Sequence, residues 1–164
     1  MNTQAISPLP SLIGKKVLIL GGLGFIGSNL AASCVAAGAQ VLVFDNLDPH
    51  SGGNLYNVEH IKKDISLHFH DILDFDRLVH HIVGQDIIVN CAASTSHPYS
   101  MREPWIDLDV NSRGVVNILE AIRRFNGEAR FIHLGTSTQL GRLVYQPADE
   151  NHPEFPTDIY SANK

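Results

Sequence analysis

Charge is scarce in this chain. Only 18% of its 164 residues are Asp, Glu, Lys or Arg, and they sum to a net charge of −5. A mildly acidic surface repels phosphate backbones, which argues against a nucleic-acid partner. Cysteine is scarcer still. Cys34 and Cys91 cannot build a disulfide framework, so they point to a reducing compartment, the cytoplasm. Between Val17 and Phe44 charge is missing altogether. Following Lys15-Lys16, that run has the outline of a signal peptide or a membrane span. Glycines at 21, 22, 24, 27 and 38 break it, however, and Ser28, Asn29, Ser33 and Gln40 are scattered through it. A soluble reading, with no membrane partner, explains these residues better. The hydrophobic share of 44% is that of an ordinary globular chain, enough for one domain with a real core. Residues 15–164 are assigned to that domain and residues 1–14 to an N-terminal extension.

Short apolar runs alternate with amphipathic stretches. Val17–Leu20 and Val41–Phe44 read as strands buried on both faces. Ile65–His70, Ile87–Val89 and Phe131–Leu134 supply three more. Helices are expected over Phe25–Ala37, Phe75–Val83 and Trp105–Phe125, with Pro104 in the first turn of the third. A last helix starts near Thr157 or Asp158. In the first helix Phe25, Ile26, Leu30, Cys34 and Val35 fall roughly on one face. Segments 46–57 and 92–103 read as loops. The βα alternation predicts an α/β fold, a Rossmann-type doubly wound parallel sheet of order 3-2-1-4-5.

The first strand runs directly into Gly21-Gly22-Leu23-Gly24-Phe25-Ile26-Gly27. Glycines in this spacing serve a tight turn, a close approach of backbone to pyrophosphate, and close helix–strand packing. The N–H groups that open the helix at Phe25, Ile26 and Gly27 then face the phosphates. Asp45 ends the second strand, where a carboxylate can accept hydrogen bonds from ribose hydroxyls and repel a 2′-phosphate. The unit therefore predicts a dinucleotide site with NAD preferred over NADP. The bland alternative for Asp45 is a solvated loop cap. Tyr160 and Lys164 stand one helical turn apart, so a helix would place both on one face, where the ammonium stabilises a phenolate.

With these pieces the chain resembles the extended short-chain dehydrogenase/reductase family, the nucleotide-sugar epimerases and dehydratases, from Lys16 onward. Gly21, Gly24 and Gly27 fit its glycine pattern, and Asp45-Asn46-Leu47 its acid-and-adenine segment. Asp71-Ile72 fits the pair beside the adenine, and Ala92-Ala93 the small pair after strand four. Ser100, Pro104 and Asn111 fit its Ser…Pro…Asn run. Gly135–Gly141 fits its Ser/Thr loop, and Tyr160 with Lys164 its active pair. The resemblance implies NAD as cofactor, a nucleotide-sugar substrate and a homodimeric partner. It implies that Thr136 holds the reacting sugar oxygen, that Tyr160 moves the proton, and that Lys164 holds the nicotinamide ribose. Asn111 would help position that lysine. Independently, Asn111 falls within an apolar stripe of Leu108, Val115, Ile118 or Leu119, and Ile122, so its amide needs buried partners.

Two departures stand out: Gly114-Val115 where relatives often carry Gly-Thr, and Leu140 where a tyrosine is usual. Dehydratases of the family carry Thr-Asp-Glu at the catalytic loop, whereas this chain has Thr136-Ser137-Thr138. The missing carboxylates favour epimerisation, most like a 4-epimerase, or simple redox chemistry. A reductase or dehydratase of the same family, a non-catalytic dinucleotide-binding module and an inactive fragment stay open as alternatives. No metal is expected. His68 and His70 share a strand face and His80-His81 adjoin on a helix, but neither pair shows a third ligand at metal spacing. The chain stops at Lys164, and the resemblance implies further strands and a sugar-binding domain beyond it. A sheet left incomplete at that end would expose apolar surface such as Ile19, Val89 or Ile132. It would leave the residues after Thr157 mobile and the chain weakly stable or self-associating.

Overall fold

A computed structural model describes residues 11–164. Most of the expected N-terminal extension, residues 1–10, lies outside the described residues. Five parallel strands form one sheet in the order β3-β2-β1-β4-β5. They are β1 (Lys16–Leu20), β2 (Gln40–Asp45), β3 (Ile65–Phe69), β4 (Ile87–Asn90) and β5 (Arg130–His133). The helices are α1 (Phe25–Ala36), α2 (Phe75–Ile82), α3 (His97–Arg102), α4 (Pro104–Leu108), α5 (Gly114–Phe125) and α6 (Ile159–Asn163). The predicted architecture and strand order are those observed.

The alternation of side chains along β1 splits the core in two. Leu18 and Leu20 join Phe44 and Ile88 under α2 and α5, where Leu78, Ile82, Ile118 and Ile122 meet them. Val17 and Ile19 join Val41 and Val43 under α1, closed from the side by Val58 and Ile61 of a 3₁₀ turn, Leu55–Ile61. Each of the fully buried Leu and Ile side chains contributes about 1.5–3 kcal/mol. No helix among the described residues is long and apolar enough to cross a membrane.

Several expectations need correction. The buried face of α1 is Gly27, Ser28, Ala31 and Cys34. Phe25 and Ile26 are exposed. Small residues let this helix lie close over the glycine turn, which pushes the two large side chains to its mouth. Segment 92–103 is not all loop: Ser96 caps α3 by accepting from the Tyr99 N–H, with a proline in its first turn. The expected continuous helix to Phe125 is interrupted by a π turn, Asp109–Arg113. Its buried face is Asp107, Asn111, Gly114, Ile118 and Ile122, while Leu108 and Leu119 turn outward. Finally, Ile19 and Val89 are buried, and only Ile132 of the suspected apolar trio is exposed.

Candidate active site

The ends of β1, β2 and β4 meet at the carboxyl edge of the sheet, at the switch point where doubly wound sheets bind ligands. A cavity of about 300 Å³ opens there. Its walls include Gly21, Gly24, Phe25, Ile26, Gly27, Asp45, Asn46, Asp71, Ile72, Ala92 and Ala93. All are residues the sequence nominated. It also takes in Phe44, Ser51, Gly53, His70, Cys91 and Val110, which sequence reasoning missed. These carry no motif and are brought in by strand register, by the 46–57 loop and, for Val110, by the π turn Asp109–Arg113.

The glycines differ in what they do. Gly21 has φ +73, and a Cβ there would lie 2.6 Å from the Ala92 backbone nitrogen. A Cβ on Gly27 would lie 2.3 Å from the Gly21 carbonyl oxygen. Both are steric requirements of the turn. A Cβ on Gly24 would meet only one atom, at an ordinary 3.5 Å. Gly24 is the N-cap of α1, which has no side-chain cap and no acid in its first turn. The N–H groups of that turn have no intrahelical acceptors and face the cavity, ready for an anion.

Asp45 has two tasks. Its Oδ2 accepts from the Leu23 N–H at 2.9 Å and its Oδ1 from the Leu47 N–H at 2.9 Å. The carboxylate thus pins the glycine loop and also lines the cavity. Each oxygen keeps a free lone pair, so hydroxyl donors can still be received. Asn46 donates to Asp71 Oδ2 at 2.9 Å, tying the ends of β2 and β3 together. Ile72 packs so tightly on α5 that a Cβ on Gly114 would lie 2.4 Å from its Cδ1.

Asn111, Tyr160 and Lys164 do not line this cavity. They belong to a polar relay beside it. Asn111 is 2% exposed. Its Oδ1 accepts from the Ser94 N–H, and its Nδ2 donates to Ser94 O and Asp107 Oδ2. The other Asp107 oxygen accepts from Asn163 Nδ2 at 2.9 Å, one residue before Lys164. The π turn, a device common at functional sites, keeps Asn111 facing this relay. Ser100, fully buried, accepts from the Tyr160 backbone N–H at 3.1 Å and donates to His97 O at 2.8 Å. Asp158 caps α6 by accepting from the Ser161 N–H, and it holds His97 Nδ1 at 2.6 Å. The Ser161 bond is the chief cause that keeps the Asp158 carboxyl below the usual carboxylate range. Tyr160 is buried edge-on against the His97 ring. Lys164 completes the helical turn by donating its N–H to Tyr160 O. Burial lowers the Lys164 pKa. Its charge is felt by Cys91 and His133. Burial lifts the Cys91 thiol to about 11 despite that charge, and burial, then that charge, lowers His133.

Thr136 sits at the start of a 3₁₀ turn, Ser137–Leu140. Ser161 Oγ donates to Thr138 Oγ1 at 2.9 Å, and Thr138 Oγ1 lies 2.9 Å from Thr136 Oγ1. Either hydroxyl of the Thr136–Thr138 pair can be the donor. Thr136 also accepts from the Thr138 N–H. When Thr138 is the donor of the pair, the Thr136 proton is left to turn outward. A second, more open groove of about 380 Å³ is lined by Thr136 and Ser137 together with Asp149, Glu150 and Glu154.

This geometry has known counterparts. A family model described as GDP-mannose 4,6 dehydratase matches residues 18–164. The chain belongs to this family. Its membership places the chain among the extended short-chain dehydrogenases/reductases. UDP-glucose 4-epimerase of Lacticaseibacillus casei is 32% identical over 152 residues, 90% of this chain and 43% of the relative. UDP-glucose 4-epimerase from Brucella ovis, solved in complex with NAD, superposes with a TM-score of 0.82 at 27% identity, covering 92% of this chain and 44% of that one. DesIV, a dTDP-glucose 4,6-dehydratase from Streptomyces venezuelae solved with NAD and TYD bound, gives 0.84 at 26% identity, over 91% and 48%. The family member described here spans about half the length of the relatives it matches.

Proposed function

We propose that this chain is the NAD-binding portion of a nucleotide-sugar epimerase, most like a 4-epimerase. The observation that carries the reading is the cavity at the glycine turn, whose lining residue Cys91 feels the charge of Lys164 from the hydrogen-bonded network beside it. The cavity fits the cofactor on its own chemistry: crowded glycines, open N–H groups at α1, and a carboxylate with lone pairs to spare. Gly24, Phe25 and Ile26 would hold the pyrophosphate and Asp45 the ribose. Ala92, Ala93 and Lys164 would lie toward the nicotinamide end. The bound nicotinamide supplies a reversible hydride acceptor.

The chain's own residues handle the proton. Tyr160 takes it from the sugar hydroxyl, Thr136 donates a hydrogen bond to the same oxygen, and Lys164 steadies the phenolate. Asn111, through Asp107 and Asn163, acts as a positioning residue for that lysine. The lack of a carboxylate in Thr136–Thr138 supports epimerisation. A second reading, dehydration, is favoured by Asp149, Glu150 and Glu154, which line the same groove as Thr136. The same proposal takes NAD over NADP, a homodimer, and the cytoplasm, in keeping with the two free thiols.

The test is turnover of UDP-, GDP- and CDP-sugars by the full-length protein, with products identified by mass spectrometry. A product of unchanged mass supports epimerisation, and loss of water supports the second reading. Tyr160→Phe should cut turnover by about 100-fold or more. Near-normal turnover in that variant rules the assignment out.

A further inference from the structure

The histidines that looked unrelated in the sequence converge. His68 stands on β3, the edge strand, His70 follows just past its end, and α2 lays His81 against them. One ring nitrogen from each of the three lies within 4.8 Å of the others. The rings contact one another directly, with His68 and His81 centroids 4.4 Å apart and His70 and His81 centroids 5.4 Å apart. Phe44 closes the cluster from β2.

The details suit a ligand set better than a chance aromatic stack. His81 Nδ1 lies 2.7 Å from the Arg77 carbonyl oxygen. A carbonyl only accepts, so Nδ1 carries the proton and the Nε2 lone pair is left free. Metal-bound histidines are commonly oriented by this kind of bond from the other ring nitrogen to a backbone carbonyl. His81 is buried, while His68 and His70 are half-buried, and His70 lines the main cavity. An ion therefore has a way in from solvent and a fixed ligand waiting at the bottom. Tetrahedral zinc holds nitrogen at about 2.0–2.1 Å, which puts donor atoms about 3.4 Å apart. The three donor atoms, within 4.8 Å of one another, would have to draw in by up to about 1.4 Å to reach that spacing.

We infer that His68, His70 and His81 form a binding site for one divalent late-transition-metal ion, zinc being the reference case, that clips the edge strand β3 to α2. Three imidazoles without a carboxylate suit zinc, cobalt, nickel or copper and disfavour magnesium and calcium. The inference rests on these three side chains alone and stands whether or not the nucleotide reading does.

The experiment titrates the metal-free chain with Zn²⁺ and, for a spectrum, Co²⁺. The expected result is one equivalent bound, with the visible absorption of four-coordinate cobalt and a raised melting temperature under excess zinc. His68→Asn and His70→Asn, both at partly open positions, should each lower affinity by about 100-fold or more. His60→Asn, outside the cluster, should leave it unchanged. In the unmodified chain, NMR with Co²⁺ should shift the ring signals of His68, His70 and His81. No bound equivalent, shifts centred on His133 or His152, or an equal loss in His60→Asn would each overturn the inference. If an Asn variant fails to fold, the NMR result in the unmodified chain decides.

Discussion

The two ends of the candidate site are built by different means. The nucleotide cradle, from β1 through β2, is made of backbone: crowded glycines, bare N–H groups and one carboxylate that pins the loop. The end proposed to handle the proton, from α3 to α6, is made of side chains bonded to side chains and to backbone groups across long stretches of sequence. Asn163 meets Asp107 and Tyr160 meets Ser100 over separations of 56 and 60 residues. The cradle should therefore fail when atoms are added, and the relay when polar atoms are removed.

The largest effect should come from adding one methyl to the cradle. Gly27→Ala sets a Cβ 2.3 Å from a backbone oxygen that cannot yield cheaply. A loss of about 3 kcal/mol in chemical denaturation is expected. Full stability in that variant would break the contrast. Next comes the relay. Asn111→Leu leaves the Ser94 backbone groups without their partner and takes one hydrogen bond from the buried Asp107 carboxylate. It should cost about 1–3 kcal/mol, measured the same way, and lower turnover further through Lys164. Gly24→Ala sharpens the comparison from within the cradle. Its φ of −73 and its open surroundings predict a stability change within about 0.5 kcal/mol. NAD affinity, measured by calorimetry, should nonetheless fall, because the methyl sits where the phosphates would.

The smallest effect is electrostatic. Lys164→Met removes a charge that favours the Cys91 thiolate and disfavours the His133 cation. Both pKa values should rise. At about 11, Cys91 is already only about one part in a thousand thiolate at pH near 8. Alkylation should therefore be slow, speed up with pH, and slow further in the variant. His133, followed by NMR, should move up toward 6.5, but only part of the way, since burial is the larger cause.

This division also governs what could be read beforehand. The sheet order, the glycine turn and the cavity walls at Asp45, Asp71 and Ala92 were legible because each depends on residues close in sequence or on a periodic pattern. The buried face of α1 was not, because Gly27, Ser28 and Ala31 pack through smallness rather than through hydrophobicity. The π turn was hidden because the apolar pattern continues across it. Asp107 gave no signal, since a buried acid on a helix looks like a surface one until its partners are known. The meeting of His81 with His68 and His70 was hidden for a related reason. Only the β3–α2 crossover brings it to His68 and His70.

Asp45 carries one more consequence, for anyone redesigning cofactor preference. The usual route to a cofactor with an extra phosphate is to remove the repelling acid. In this chain that also frees the Leu23 and Leu47 N–H groups it now holds. In the proposed reading, specificity and loop integrity share a single carboxylate, so a successful swap has to supply acceptors for two backbone N–H groups while it admits the phosphate. Asparagine, which keeps one acceptor oxygen, is the shorter first step. A basic residue at Asp45 alone would be expected to gain the phosphate and lose the turn that binds it.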